Sequence, residues 1–452
     1  MRSNTIEHLR NDTFSWLYFG GVLTILFLPL VDGWPWAIPV PWVQANLFRI
    51  LFILLANFFI ARIILKDTWK LLPEKPARIP FLLLLGFGGI LVIANLFSLD
   101  PSFSFSGTPF RGWGVLNDLS YIFFAVFLFL TLSQRNWEKV WKIALSVALV
   151  ATLIAIIQYL NINLAFIRAD PGRPASTFGN TMFFAIFLVA LLPFSVSFLW
   201  NSSTLKSKIL FVAFTLLLLF GIVLSGTRAA FVGLAVSTFF FFLFYPSHKS
   251  SKLLRIVALG LIGMAITMYL LLQTIPPPNF VQNSTLLSNI WQRSSLEEII
   301  HTEPRFASWS FAIQALNDRP FFGYGPYNSS IAFDRYFDSN NPRFYGRMEG
   351  WWDTFHNFYL DLAVTTGFVG FLVFLGFLGS LFFFLSKKRV VSPEHTRAIH
   401  ITQTAMVAYL TTMVFSFNSF ATSLIFFMLI AYSLFLLSLP SPSFNKNKTR
   451  AS

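Results

Sequence analysis

The sequence predicts an all-α integral membrane protein of about twelve membrane helices with one large, partly helical extracytoplasmic loop, on three observations. Hydrophobic residues fill 55% of the 452 positions and charged residues only 12%, with 57 phenylalanines and a mean hydropathy of +0.65. A soluble domain carries roughly 25% charged residues. The apolar residues form continuous runs that reach or approach the roughly 20 residues needed to cross a hydrocarbon core as a helix, unlike the alternating segments of about ten residues in a membrane barrel. Finally, every lysine falls on one side of the resulting map.

Spans are expected at roughly 15–31, 43–65, 79–98, 114–133, 143–163, 180–200, 208–225, 229–245, 254–273, 357–386, 401–417 and 421–439. With the N-terminus inside, the inner connections carry Lys66, Lys70 and Lys75, then Lys139 and Lys142, Lys206 and Lys208, Lys249 and Lys252, Lys387 and Lys388, and the tail Lys446 and Lys448. This is the positive-inside pattern. The net charge of +14 is therefore a topology signal toward the cytoplasmic leaflet, and no nucleic-acid partner is expected. Residues 1–273 hold spans one to nine, 274–355 the extracytoplasmic loop with short helices, 356–439 the last three spans, and 440–452 a cytoplasmic tail. The chain has no cysteine, which excludes disulfides, thiol nucleophiles and Cys-ligated metal.

Taken in order, the first span follows Arg2 and Arg10 and lacks a small-residue cleavage site, so it is expected to be an uncleaved helix. Trp34, Trp36, Trp42 and Trp113 mark outer span ends, and Trp69, Trp137, Trp141 and Trp200 inner ones, where indoles favour the headgroup zone. Arg62 lies near an inner end and can snorkel. Arg49 sits deeper in its span, where a charge faces a bundle interior or an aqueous space.

Arginine, without lysine, is the outer cation. Arg111 stands in the Gly- and Pro-rich turn after span three, and Arg173 in Pro171-Gly172-Arg173-Pro174-Ala175-Ser176-Thr177-Phe178-Gly179-Asn180, which leads directly into a helix. Exposed N–H groups and hydroxyls there suit an anion. Ser225-Gly226-Thr227-Arg228 joins spans seven and eight so tightly that Arg228 is held at the membrane boundary. The guanidinium fork matches phosphate oxygens at two points, which an ammonium cannot. A snorkelling arginine and a capped helix start are the plain alternatives.

The long loop opens on Pro276-Pro277-Pro278 and reads helical over roughly 284–300 and 304–317. In the second stretch Phe306, Trp309, Ala312, Ile313 and Leu316 fall near helical spacing, an apolar face expected to lie on the membrane. Pro304 fits the first turn and puts Arg305 beside a helix N-terminus, an arrangement that an anionic partner would stabilise. The loop's six arginines are outnumbered by eight carboxylates, so any anion site must be built from placed residues. No histidine or carboxylate grouping has metal-ligand spacing, so no metal or other cofactor is expected.

His356 begins span ten. A helix N-terminus disfavours imidazolium, and a neutral imidazole is what a general base needs. Asp353 or Glu349 is expected to orient the ring. The plain alternative is a capping histidine.

With His356-Asn357 followed after nine residues by Gly367 and then Gly370, with Arg305, Trp309 and Gly323-Tyr324-Gly325, with Ser225-Gly226-Thr227-Arg228-Ala229, and with Arg173 to Asn180, the chain resembles the O-antigen ligase and Wzy-type polymerase superfamily of bacterial envelope glycosyltransferases. The resemblance implies a GT-C-like helical membrane fold in the inner membrane, both termini cytoplasmic and the active site periplasmic. It implies an undecaprenyl-pyrophosphate-linked glycan as donor, with lipid A–core or another glycan as acceptor. By the same resemblance His356 activates the acceptor hydroxyl for inverting transfer, and Arg228 and Arg305 hold the pyrophosphate. Arg173, Asn180, Asn357, Arg111 and Tyr324 are the residues expected at the substrate. A polymerase, a protein O-glycosyltransferase and, from another class, a flippase or transporter are the alternatives. The last expects related halves and midplane charges, which the sequence does not display.

Overall fold

The computed structural model describes residues 10, 14–33, 40–66, 71–108, 111–162, 172–245, 251–284, 288, 291, 295, 303–344, 351–388 and 393–439. Among them it is all-helical: α1 (Ser15–Phe27), α2 (Val40–Leu65), α3 (Arg78–Leu96), α4 (Pro101–Ser106), α5 (Val115–Thr131), α6 (Gln134–Tyr159), α7 (Thr181–Asn201), α8 (Leu205–Ser225), α9 (Arg228–Leu243), α10 (Ser251–Leu272), α11 (Asn279–Gln282), α12 (Pro304–Asp318), α13 (Ser329–Tyr336), α14 (Phe358–Lys388), α15 (Pro393–Thr412) and α16 (Phe420–Ser438). Among the described residues eight helices are long and apolar enough to cross a membrane, and the shorter apolar helices Ser15–Leu30, Val115–Thr131 and Arg228–Leu243 fall on three more of the expected spans. α10 runs over the ninth. The composition and these helices make this an integral membrane protein.

α16 is buried along nearly its whole length, as befits a helix that is apolar on every face. It packs on α5, α7 and α15, with α14 against α3 and α9 against α15. Trp137 and Trp141 depart from expectation. They are buried in the bundle, Trp141 stacked on Phe194 with centroids 3.8 Å apart, because lateral packing of these large faces outcompetes the interface. Trp34, Trp36 and Trp69, most of the expected 284–300 helix, and Glu349 lie outside the described residues. Arg62 is buried, its guanidinium 5.9 Å from the Phe14 ring centroid, and Arg49 is held by Asn46 on its own helix.

α12 packs into the loop largely through the face opposite the one expected to lie on the membrane. Ala307, Ser308, Phe311, Ala312 and Ala315 are buried against Phe333, Phe344, Trp352 and Phe355, forming a second core. Phe306 and Ile313 remain 41% and 55% exposed. The small residues Ala307, Ser308, Ala312 and Ala315 let α12 approach its neighbours closely around the buried Phe311 ring.

α14 is not one straight span. Gly367 has φ 66°, ψ −176°, which breaks the helix. The turn before α13 clips onto that break: Tyr324 N–H donates to Val364 O (2.9 Å), Gly325 N–H to Thr365 O (3.0 Å) and Phe368 N–H to Pro320 O (2.7 Å). A Cβ on Gly367 would stand 2.1 Å from Phe321 O, and one on Gly323 2.3 Å from Val364 O. The spaced glycines therefore lock the loop to the membrane helix that carries the histidine.

Candidate active site

Five chain segments meet around one cavity of about 590 Å³, lined by Arg173, Asn180, Arg228, Glu303, Arg305 and His356 together with Phe306, Trp309, Phe415 and Phe417. Each segment is fixed by its own local chemistry. The Arg173 loop is pinned by Gln158, which donates to Ser176 O (3.0 Å) and accepts from Ser176 N–H (2.7 Å). Gln44 Nε2 donates to Thr177 O (3.0 Å), and the Thr177 hydroxyl donates to Pro29 O (2.7 Å). Asn180 then caps α7, accepting from Met182 N–H at 2.8 Å. Its side chain serves the expected helix start as well as the cavity wall.

Gly226 takes the left-handed conformation that ends α8, as helix C-termini favour. Arg228 follows as the first residue of α9. Arg173 Nε donates to Ser225 O at 3.2 Å, tying two of the cavity's arginine segments together. Pro304 opens α12 and Arg305 follows it. The N-termini of α7, α9 and α12 thus all face the cavity with three guanidiniums, a concentration of positive potential that suits an anion.

Glu303 joins the two arginines. Arg228 Nη2 donates to its Oε2 at 2.6 Å and Arg305 Nη1 to its Oε1 at 2.8 Å. Burial by itself would raise the Glu303 carboxyl, but Arg305 and Arg228 outweigh it and hold the group below the usual carboxylate range. Arg305 Nε and Trp309 Nε1 are buried with no hydrogen-bond acceptor among the described residues. Such a donor costs about 1–3 kcal/mol until it is satisfied, and both belong to side chains on the cavity wall.

His356 has φ 52°, an uncommon conformation for a residue with a side chain and one that collects at functional sites. Its neighbours hold it there. Asp361 accepts from Phe355 N–H (2.9 Å), Ser308 donates to Phe355 O (3.2 Å), and Asn357 caps α14 through Tyr359 N–H (3.0 Å) and Leu360 N–H (3.2 Å). His356 Nδ1 lies 3.3 Å from Thr354 O, so we assign the proton to Nδ1, which leaves Nε2 as the basic nitrogen. Burial first, and then the charge of Arg305, lower the imidazole pKa to about 3. The ring is neutral, as the sequence led us to expect, though burial rather than the helix end is the leading cause.

Asp353 does not orient the histidine. It accepts from Arg111 Nε and Nη2, both at 2.9 Å. A two-point ion pair satisfies that carboxylate better than one imidazole N–H would. Arg111 therefore stands beside the cavity, its guanidinium 4.8 Å from the Phe417 ring centroid. Phe417 in turn sits edge-on to His356 at 5.0 Å. Asn357 is a cap, and Tyr324 is buried in the loop core with its hydroxyl 3.4 Å from Asp318, outside the cavity lining. The sequence reading passed over Glu303 and Phe417. Glu303-Pro304-Arg305 carried a signal, an acid set beside an arginine at a helix start; Phe417 carried none. Among the described residues no three His, Asp or Glu side chains group so as to hold a metal ion.

Residues 213–375 match the family model Wzy_C, O-antigen ligase. That stretch contains Arg228, Glu303, Arg305, His356, Gly367 and Gly370. The chain is also similar to a General O-oligosaccharyltransferase of Acinetobacter baylyi, 27% identical over 258 residues, which are 53% of this chain and 42% of that relative. The chain thus aligns with less than half the length of this relative. Arg228, Glu303, Arg305, Trp309 and His356 fall within the matched stretch, Arg173, Asn180, Phe415 and Phe417 outside it, and through residues 213–375 this chain is similar to the O-antigen ligase family.

Proposed function

We propose that this chain is a glycosyltransferase that moves a glycan from an undecaprenyl-pyrophosphate carrier to an acceptor hydroxyl on the outer face of the bacterial inner membrane. As an O-antigen ligase it joins polysaccharide to lipid A–core. In this reading twelve helices cross the bilayer in a GT-C-like fold with both termini cytoplasmic, and the cavity opens on the periplasmic side. The observation that carries it is the meeting of Arg228, Arg305 and a neutral His356 around one cavity.

The acceptor O–H gives its proton to His356 Nε2 while its oxygen bonds to the anomeric carbon. The bond from that carbon to the phosphate oxygen breaks on the opposite face, and its electron pair leaves with the diphosphate. The configuration inverts. Arg228, Arg305 and the unsatisfied Arg305 Nε and Trp309 Nε1 donors stabilise the charge that develops there, the kind of preorganised stabilisation that supplies most of such a rate. Holding two lipid-tethered substrates end to end supplies much of the rest. The reaction needs no metal.

A second reading, transfer of the glycan to a protein hydroxyl, is supported by the similarity to the O-oligosaccharyltransferase; it shares the donor chemistry and differs in acceptor. Deleting the gene and separating envelope glycolipids on a gel tests these readings. Long chains retained on the carrier support the ligase, single repeats a polymerase, and loss of glycan from protein the second reading. Unchanged glycolipids with altered solute uptake would overturn all three in favour of transport.

A further inference from the structure

Glu303 plays no part in the transfer step above, yet it occupies the centre of the cation cluster. It precedes α12 as the N-cap residue, but its side chain makes no regular capping hydrogen bond, although the Arg305 backbone N–H helps to keep the carboxylate ionised. It spans Arg228 (2.6 Å) and Arg305 (2.8 Å) instead, with only 13% of the side chain exposed. Its backbone is held as well, since Arg343 Nη1 donates to Glu303 O at 3.1 Å. Two carboxylate oxygens on two guanidiniums is the contact pattern a diphosphate would need for itself.

We infer that Glu303 is a resident anion that the lipid diphosphate displaces on binding, and that by reclaiming Arg228 and Arg305 after transfer it expels the spent carrier. This rests on the donor chemistry proposed above. The cavity wall sets the guanidiniums of Arg173, Arg228 and Arg305 against the one carboxylate of Glu303. In the donor each phosphorus carries one ionised oxygen. When the bond to the anomeric carbon breaks, its electron pair stays on the terminal phosphate and adds a further ionisable oxygen, with a pKa of about 6. The product is therefore more anionic than the substrate. A site of unopposed guanidiniums would hold the product harder than the donor and stall after one turnover. Glu303 opposes the added charge at close range, for which Coulomb's law at protein-like screening gives an effect on the order of tenfold or more in affinity.

The test uses the full chain in phospholipid nanodiscs and compares wild type, Glu303→Gln and Glu303→Asp. The KM for a glycosylated undecaprenyl pyrophosphate is measured beside the inhibition constant of undecaprenyl pyrophosphate itself. With glutamine the inhibition constant is expected to fall about tenfold and the donor KM to fall less. Progress curves then turn from linear to burst-and-slow, and kcat drops with product release. Aspartate, which keeps the charge but is one methylene shorter, is expected to lie between the two, and it decides the matter if the glutamine variant does not fold. Equal or weaker binding of undecaprenyl pyrophosphate by the variants would overturn the role given to Glu303 and leave the donor assignment standing. If wild type binds neither lipid, the donor assignment falls and takes this inference with it.

Discussion

A histidine buried beside an arginine should keep working as a base in acid where an ordinary histidine stops. His356 is lowered from 6.5 to about 3, first by burial and then by Arg305. A base titrating at its ordinary value would be neutral in only about one molecule in thirty at pH 5, so a reaction that depends on it would slow about thirtyfold between pH 8 and 5. With the folded value near 3, about 99% of the imidazole is still neutral at pH 5. The assay is glycan transfer by the purified protein in nanodiscs, with kcat/KM followed from pH 8 to 5. No acid limb assignable to His356 is expected, and the rate at which diethyl pyrocarbonate modifies His356 should be equally flat, since it follows the neutral fraction. Arg305→Gln removes the second cause and should raise the pKa of His356 while leaving it below 6.5, because burial remains. Stability runs the other way. Between about 6.5 and about 3 the unfolded chain binds a proton at this position and the folded one does not, so stability falls as the pH drops through that window. An acid limb near 6.5 that disappears with His356→Gln would refute the reasoning.

His356→Ala should lower transfer by about 10²–10⁴-fold without changing membrane insertion; near-normal turnover in purified enzyme would remove the base assignment. Arg305→Ala should cost about 10²–10³-fold in kcat, the usual loss for one donor to a developing oxyanion, read in the same transfer assay. Arg228→Lys keeps the charge and loses the fork, so donor affinity should weaken by about 1–3 kcal/mol; normal donor affinity would mean that Arg228 only anchors α9. Gly367→Ala forces a side chain against Phe321 O at a φ of 66° and should destabilise the protein by several kcal/mol. Asn357→Ala should cost about 0.5–2 kcal/mol through the lost cap. Thermal unfolding in detergent checks both.

Much of this protein was legible in its sequence because the bilayer leaves few choices. Backbone polar groups in hydrocarbon must pair within a helix, so the apolar runs, the lysine bias and the short polar turns predict helices that the structure largely places where expected. The Ser-Gly-Thr-Arg turn, the Asn180 cap and the Pro304 start were readable for the same local reasons. What the tertiary structure alone decided is which side chains face one another across the chain. Arg111 takes Asp353 because a fork–fork pair outcompetes an imidazole. α12 packs on its alanines because small residues permit close approach. The glycines after His356 lock a distant turn to a broken helix. Glu303 meets Arg228 from 75 positions away, and no periodicity or local pattern in a sequence records a contact made only when the bundle closes.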